Sequence, residues 1–118
     1  MSDNAQLAFQ TLHGGHFHQT LHQLTGIALV LFGQPGCGTC RHVEQQLPVV
    51  ADKLVQHLLK VDVQRDPAIG REFNLFHLPA LFIYRDGHFH AELQCEMTRS
   101  ALAHTLMARL TEPAQEAP

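Results

Sequence analysis

The sequence predicts an α/β sandwich, a mixed sheet with helices on both faces. Three observations carry that expectation. Ile27–Phe32 is apolar without alternation, as a strand covered on both faces is. Helix-spaced apolar stripes follow it and recur at the end of the chain. Asp86–Gly87 stands between two strand-like runs as a hairpin turn signal.

Taken in order, Ala5–Leu12 reads as a first strand, broken by Gly14 and Gly15. His16–Leu24 carries Phe17, Leu21 and Leu24 on one helical face, and Gly26 is expected to end that helix. After the Ile27–Phe32 strand, Gly33, Pro35 and Gly36 form a loop. A longer helical stripe follows over Cys40, Val43, Leu47, Val50, Ala51, Leu54 and Leu58, with Pro48 inside it and a kink expected there. Leu58–Val63 is a second buried strand by composition. Asp66 is the expected N-cap and Pro67 the first position of a short helix over Ala68–Phe73. Leu78–Pro79 stops the chain before a strand over Ala80–Tyr84. Its hairpin partner is His88–Gln94, in which Phe89, Ala91 and Leu93 alternate with polar residues and one face is expected to be wet. Thr98 caps a final helix with a Leu102, Leu106, Leu110 seam. The order is β-α-β-α-β-α-β-β-α, parallel at first through right-handed crossovers, with the hairpin adding an antiparallel edge.

The 118 residues suit one domain, placed at 1–111, with a flexible tail at 112–118. Hydrophobic residues at 45% and charged residues at 16% favour a folded chain. A net charge of −3 without a basic stripe argues against nucleic-acid binding, and no apolar run reaches the length of a membrane span. Met1–Gln10 has neither the basic start nor the apolar stretch of a secretory signal, so a cytoplasmic location is expected.

The three cysteines are Cys37, Cys40 and Cys95, too few for a disulfide framework. Phe32–Gly33–Gln34–Pro35–Gly36–Cys37–Gly38–Thr39–Cys40 sets a C-x-x-C where a buried strand passes into a helix. Cys37 falls at the helix N-terminus, where unpaired N–H groups and the helix dipole favour a thiolate. A three-residue helical offset brings Cys40 back beside it, on the core-facing stripe. Cys37 is therefore the expected attacking thiol, exposed, and Cys40 the buried resolving thiol that releases a substrate from a mixed disulfide. Cys40 needs a proton acceptor, and the sequence offers no obvious one. Lys60 and Glu44 are the nearest charged candidates, against the plainer reading of surface charges. Metal binding and chance spacing are the competing readings of the C-x-x-C.

On these residues the chain resembles the thioredoxin family, from about Leu12 to Leu110. Gly36–Cys37–Gly38–Thr39–Cys40 is similar to the family's W-C-G-P-C. Lys60–Val61–Asp62–Val63 with Asp66–Pro67 is similar to its third strand and turn, Leu78–Pro79 to its cis-proline site, and Asp86–Gly87 to its last hairpin. The resemblance implies a five-stranded sheet of order 1-3-2-4-5 and a thiol–disulfide oxidoreductase acting on protein disulfides. It implies no cofactor and no metal, a monomer, and thioredoxin reductase as electron donor. By the same resemblance Leu78 and Pro79 bind an extended substrate segment by strand addition, with Gly36 and His77 at the rim. Gly38 and Thr39 tune the redox potential. Four departures stand out: Gly36 for Trp, Thr39 for Pro, Leu31 for a buried Asp that assists the second cysteine, and Pro48 three residues later than the family's helix proline. Thr39 restores a backbone N–H near the sulfurs, which favours the reduced form and a higher potential.

Cys95 reads as a buried small hydrophobe, with a third redox thiol or a metal ligand as alternatives. Of ten histidines, His18 and His22 share a helical face at metal-ligand spacing, but no nearby carboxylate is expected to orient them, and an exposed polar face without a ligand is the plainer reading. His42 turns away from the cysteines, His57 and His104 read as surface helix positions, and His88 and His90 read as the wet face of an edge strand. Two functions compete with the enzyme: a thioredoxin-fold module that binds a partner with little redox turnover, and a zinc protein using the three cysteines and a histidine.

Overall fold

The computed structural model describes residues 7–118. Its five strands are β1 (Phe9–Thr11), β2 (Ile27–Gly33), β3 (His57–Asp62), β4 (Ala80–Arg85) and β5 (His88–Leu93). Its helices are α1 (Phe17–His22), α2 (Gly38–Val50), α3 (Pro67–Glu72) and α4 (Arg99–Thr111). The sheet order is β1-β3-β2-β4-β5. β1 and β2 flank β3 in parallel, and β4 is antiparallel to both β2 and β5. This is the thioredoxin fold that the sequence resemblance implied. The first strand is shorter than expected, and Ala5 and Gln6 lie outside the described residues.

Alternation along the central strands divides the core in two. Leu29 and Leu31 of β2 face α2 and α4, where Val43, Leu47, Leu102 and Leu106 are buried. Val30 and Phe32 face α1 and α3, where Phe17, Leu21, Ile69 and Phe73 are buried. The second layer is aromatic: Phe32 and Phe73 both meet the Phe82 ring edge-on, at 4.8 and 5.3 Å between centroids. Each such buried side chain contributes about 1.5–3 kcal/mol by leaving water.

Several boundaries differ from the sequence expectation. The stripe read through to Leu58 ends as helix at Val50, with Pro48 in its last turn, because Lys53 adopts a left-handed φ of 66°. Leu54 then packs from a turn, and Leu58 belongs to β3. α1 ends at His22, before Gly26, which holds φ 83° and exchanges hydrogen bonds with Asp86. Asp66 precedes α3 without a side-chain cap, and Pro67 opens the helix as expected. Thr98 does cap α4, accepting from the Ala101 N–H at 3.2 Å.

The edge strand departs most. A bulge opposite Ile83 and Tyr84 adds one residue to β5, so Tyr84 pairs with Phe89 and Ile83 with Ala91. Phe89 therefore joins the aromatic layer, and Ala91 and Leu93 join the other. His90, expected on a wet face, is only 6% exposed. Its Nε2–H donates to the carbonyls of Arg109 (2.8 Å) and Glu112 (3.1 Å). Within residues 112–118, expected as a flexible tail, Gln115 lies beside β5. The Gln115 N–H donates to the His90 carbonyl at 2.7 Å, and the Glu92 N–H donates to Gln115 Oε1 at 3.1 Å.

Asp86 and Gly87 form the hairpin at φ 50° and 83°, the left-handed pair a two-residue turn of this kind requires. A Cβ on Gly87 would stand 3.0 Å from backbone atoms of Leu21 and His22. Gly87→Ala is expected to cost about 2 kcal/mol in urea denaturation, from turn strain and overpacking together. Gly15→Ala, whose Cβ meets nothing within 4 Å, should change stability by less than about 0.5 kcal/mol.

Candidate functional site

The site begins with a turn. Pro35 and Gly36 occupy its two central positions, Gly36 at φ 81°, and the Cys37 N–H closes on the Gln34 carbonyl at 3.4 Å. Pro followed by a positive-φ Gly is the signature of a type II turn, which disfavours any side-chain-bearing residue at position 36. The turn delivers Cys37 in extended conformation (φ −93°, ψ 105°) as the N-cap of α2. Its Sγ takes the place of a capping oxygen and accepts the Cys40 N–H at 3.1 Å. Cys37 and Cys40 are joined as a disulfide, their Cα atoms 5.2 Å apart.

The two sulfurs are unequal. Cys40 is 5% exposed, on the buried stripe of α2, while Cys37 is half-buried and more open. Gly33, at the end of β2, packs against Cys40. A Cβ there would lie 3.1 Å from Cys40 Cβ and 3.3 Å from its Sγ. Sequence reasoning treated Gly33 only as a loop residue; its closeness to Cys40 depends on where α2 crosses β2.

Gly38 and Thr39 form the exposed first turn of α2, beside the disulfide. The Leu78–Pro79 peptide is cis, and both residues are half-buried. Antiparallel register pairs Ala80 with Phe32, which sets Pro79 next to Gly33, where the cysteine loop begins. His77 is exposed there. So is Phe76, at 85%, which the sequence reading did not single out. Its signal was an aromatic residue in the short loop at 74–79 that leads into the cis-proline.

On the other side of the disulfide, a cleft of about 330 Å³ runs between α2 and β3, reached by Gly36, Cys37, Cys40, Leu31, Glu44 and Lys60. Lys60 pairs in register with Leu31 and, two residues from Leu58, points to the α2 face. There its Nζ meets Glu44 Oε2 at 2.7 Å.

Cys95 is half-buried against the α2 and α4 layer. Burial, and then the charge of Glu96, push its thiol above the ordinary value. Among the described residues no three His, Cys, Asp or Glu side chains are grouped to hold a metal ion. The His18–His22 face has a carboxylate after all, brought by the fold rather than the local sequence: Glu72 Oε2 lies 2.7 Å from His18 Nε2. His22 instead packs edge-on against His88. His42 and His104 are exposed on helices, as expected, whereas His57 opens β3 and contacts the Thr25 carbonyl at 3.0 Å. Among the described residues no helix is long and apolar enough to cross a membrane.

The thioredoxin family model matches residues 8–108. The chain is 26% identical over 92 residues to thioredoxin 1 of Synechococcus elongatus, covering 76% of this chain and 86% of that protein. It is 33% identical over 63 residues to a thioredoxin of Mycolicibacterium smegmatis, covering 50% and 56%. Among solved structures, a mutant thioredoxin from Halobacterium salinarum superposes with a TM-score of 0.72 at 18% identity, covering 94% of this chain and 95% of that one. The zinc-bound form of human ERp44 superposes at 0.71 and 18%, covering 88% of this chain but 30% of that longer one.

A thiol held above its ordinary pKa is a slow nucleophile at neutral pH. In the reduced protein at pH 7, iodoacetamide is expected to label Cys37 at least about tenfold faster than Cys95, read by mass spectrometry of peptides. The Cys95 rate should continue to climb above pH 9.

Proposed function

The chain belongs to the thioredoxin family, a thiol–disulfide oxidoreductase fold with its redox cysteine pair in place, and on that premise we propose that it reduces protein disulfides through Cys37. The observation that carries this reading is the half-open Cys37 sulfur at the α2 N-cap, bonded to a Cys40 that is almost wholly buried.

In the reduced protein, the Cys37 thiolate attacks one sulfur of a substrate disulfide. A bond forms between Cys37 and that sulfur, the substrate bond breaks, and the second substrate sulfur leaves as a thiolate and takes a proton. The Cys40 thiolate then attacks Cys37 Sγ, forming the Cys37–Cys40 disulfide and expelling the first substrate sulfur. Two electrons pass from the dithiol to the substrate. The half-open position restricts attack by bulky groups to Cys37. An extended substrate segment lies beside Leu78 and Pro79, with Gly36, His77 and Phe76 at the rim. Thioredoxin reductase is the electron donor and the cytoplasm the compartment of this reading, with the protein acting as a monomer.

The partner-binding module remains the competing reading, favoured by Leu31, which brings no ionisable group to the cleft. Insulin reduction by dithiothreitol separates the two. Wild type is expected to accelerate precipitation of the insulin B chain, and Cys37→Ser to fall to the uncatalysed rate. Wild type at the uncatalysed rate would favour the module instead.

Thr39 places a backbone N–H in the first turn of α2 where proline would have none. Extra donors near the sulfurs favour the reduced form, so the potential is expected to lie above the value of about −270 mV for thioredoxin. Titration against glutathione, followed by thiol alkylation, measures it. Thr39→Pro should move it downward.

A further inference from the structure

The second step of the exchange needs a thiolate from a buried thiol. Cys40 is almost wholly buried, and burial disfavours the charged form of a thiol. The side chains buried with it along α2, Val43 and Leu47, accept nothing, and Leu31 lines the same cleft with carbon alone. Resolution at neutral pH therefore requires a base within reach of Cys40.

We propose that Glu44 is that base, taking the Cys40 proton across the cleft, and that Lys60 is the residue that positions its carboxylate. The inference rests on the dithiol reading above. Cys40 and Glu44 stand four residues apart on α2, a spacing that makes their side chains neighbours at about 5–6 Å between Cβ atoms. Helical side chains lean toward the N-terminus, so Glu44 leans back over the turn that carries Cys40. Both residues line the cleft, which is wide enough for water to bridge them. Lys60 holds Glu44 Oε2 at 2.7 Å and lies over the Phe9 ring at 5.8 Å. A carboxylate has lone pairs to spare beyond one ammonium contact, so the ion pair does not exhaust it.

The other charged or titratable groups of the cleft are His13, Arg41, Asp62, Arg65 and Asp66. Arginine does not accept protons at neutral pH. Asp62 Oδ1 already accepts the N–H groups of Gln64 and Arg65. Asp66 faces Gly14, and His13 is exposed and lies outside α2. Glu44 is the carboxylate that shares a helix face with Cys40. In the step proposed, the Cys40 S–H bond breaks, its proton passes to Glu44, and the sulfur's electron pair forms the bond to Cys37 Sγ as the substrate sulfur leaves.

The test uses the full chain in a Cys95→Ala background, with 5,5′-dithiobis(2-nitrobenzoate) as the disulfide. Stopped-flow absorbance then shows two releases of thionitrobenzoate, one from attack by Cys37 and one from resolution by Cys40. In Glu44→Gln the first phase should stay within twofold of the parent. The second should slow at least about tenfold at pH 7 and rise toward the parent rate at higher pH. Glu44→Asp should recover part of the rate, and Lys60→Met should slow the second phase by a smaller factor. His13→Asn should leave both phases and the pH profile as they are. A second phase in Glu44→Gln within twofold of the parent at every pH would overturn the proposal. So would a shift of the profile in His13→Asn alone. Absence of the first phase in the parent would instead refute the dithiol reading. Glutamine is isosteric and the position is half-exposed, so folding is checked by an unchanged thermal melt.

Discussion

The hydrogen bond from the Cys40 N–H to Cys37 Sγ ties together everything the site depends on. It makes a sulfur the cap of a thirteen-residue helix, so the start of α2 and the position of the reactive atom are set by one contact. Each neighbouring feature serves that contact. Pro35 and Gly36 turn the chain out of β2, and the absence of a side chain on Gly33 lets the first turn of α2 come down on the strand. Val43, Leu47 and Val50 press the rest of the helix into the core. On the dithiol reading, the same N–H faces the reduced Cys37 sulfur, where the helix dipole favours negative charge. The local geometry that starts the helix and the chemistry that uses it are therefore the same arrangement.

Charge around the second cysteine is arranged differently. An exposed or half-exposed ion pair stabilises a fold by at most about 1 kcal/mol, so the Lys60–Glu44 contact adds little to folding. Its significance is positional. β3 runs parallel to β2 with Lys60 beside Leu31, and the pleat sends the ammonium toward α2 rather than toward the aromatic layer. An apolar residue on the central strand and a charged pair between helix and sheet leave the β2 core dry while keeping ionised groups beside the cleft.

The sheet was legible in the sequence because its central strands have simple signals. Ile27–Phe32 has no polar interruption, Asp86–Gly87 has the backbone preferences of its turn, and the C-x-x-C falls between strand and helix. What was not legible depended on tertiary neighbours. The stripe through Leu54 and Leu58 keeps helical spacing past the true end of α2, since Lys53 gives no local sign of its left-handed backbone. The β5 bulge inverts the faces of an otherwise ordinary alternation, and His90 became a core residue only because α4 and residues beyond it supply two carbonyls. Glu72 is fifty-four residues from His18, beyond any local pattern. At the site, Cys37 and Cys40 were identifiable from spacing. The fit of Gly33 against Cys40 and the exposure of Phe76 were not, being properties of crossing elements and of a loop.

The segment beyond α4 has a bearing on how this molecule behaves in company. An open sheet exposes two rows of unpaired amides and carbonyls that any extended chain can zip onto, a common route to aggregation. Here β1 spans three residues, and along β5 the Gln115 backbone and side chain occupy ladder positions at His90 and Glu92. Self-association through the margins of the sheet is thereby discouraged.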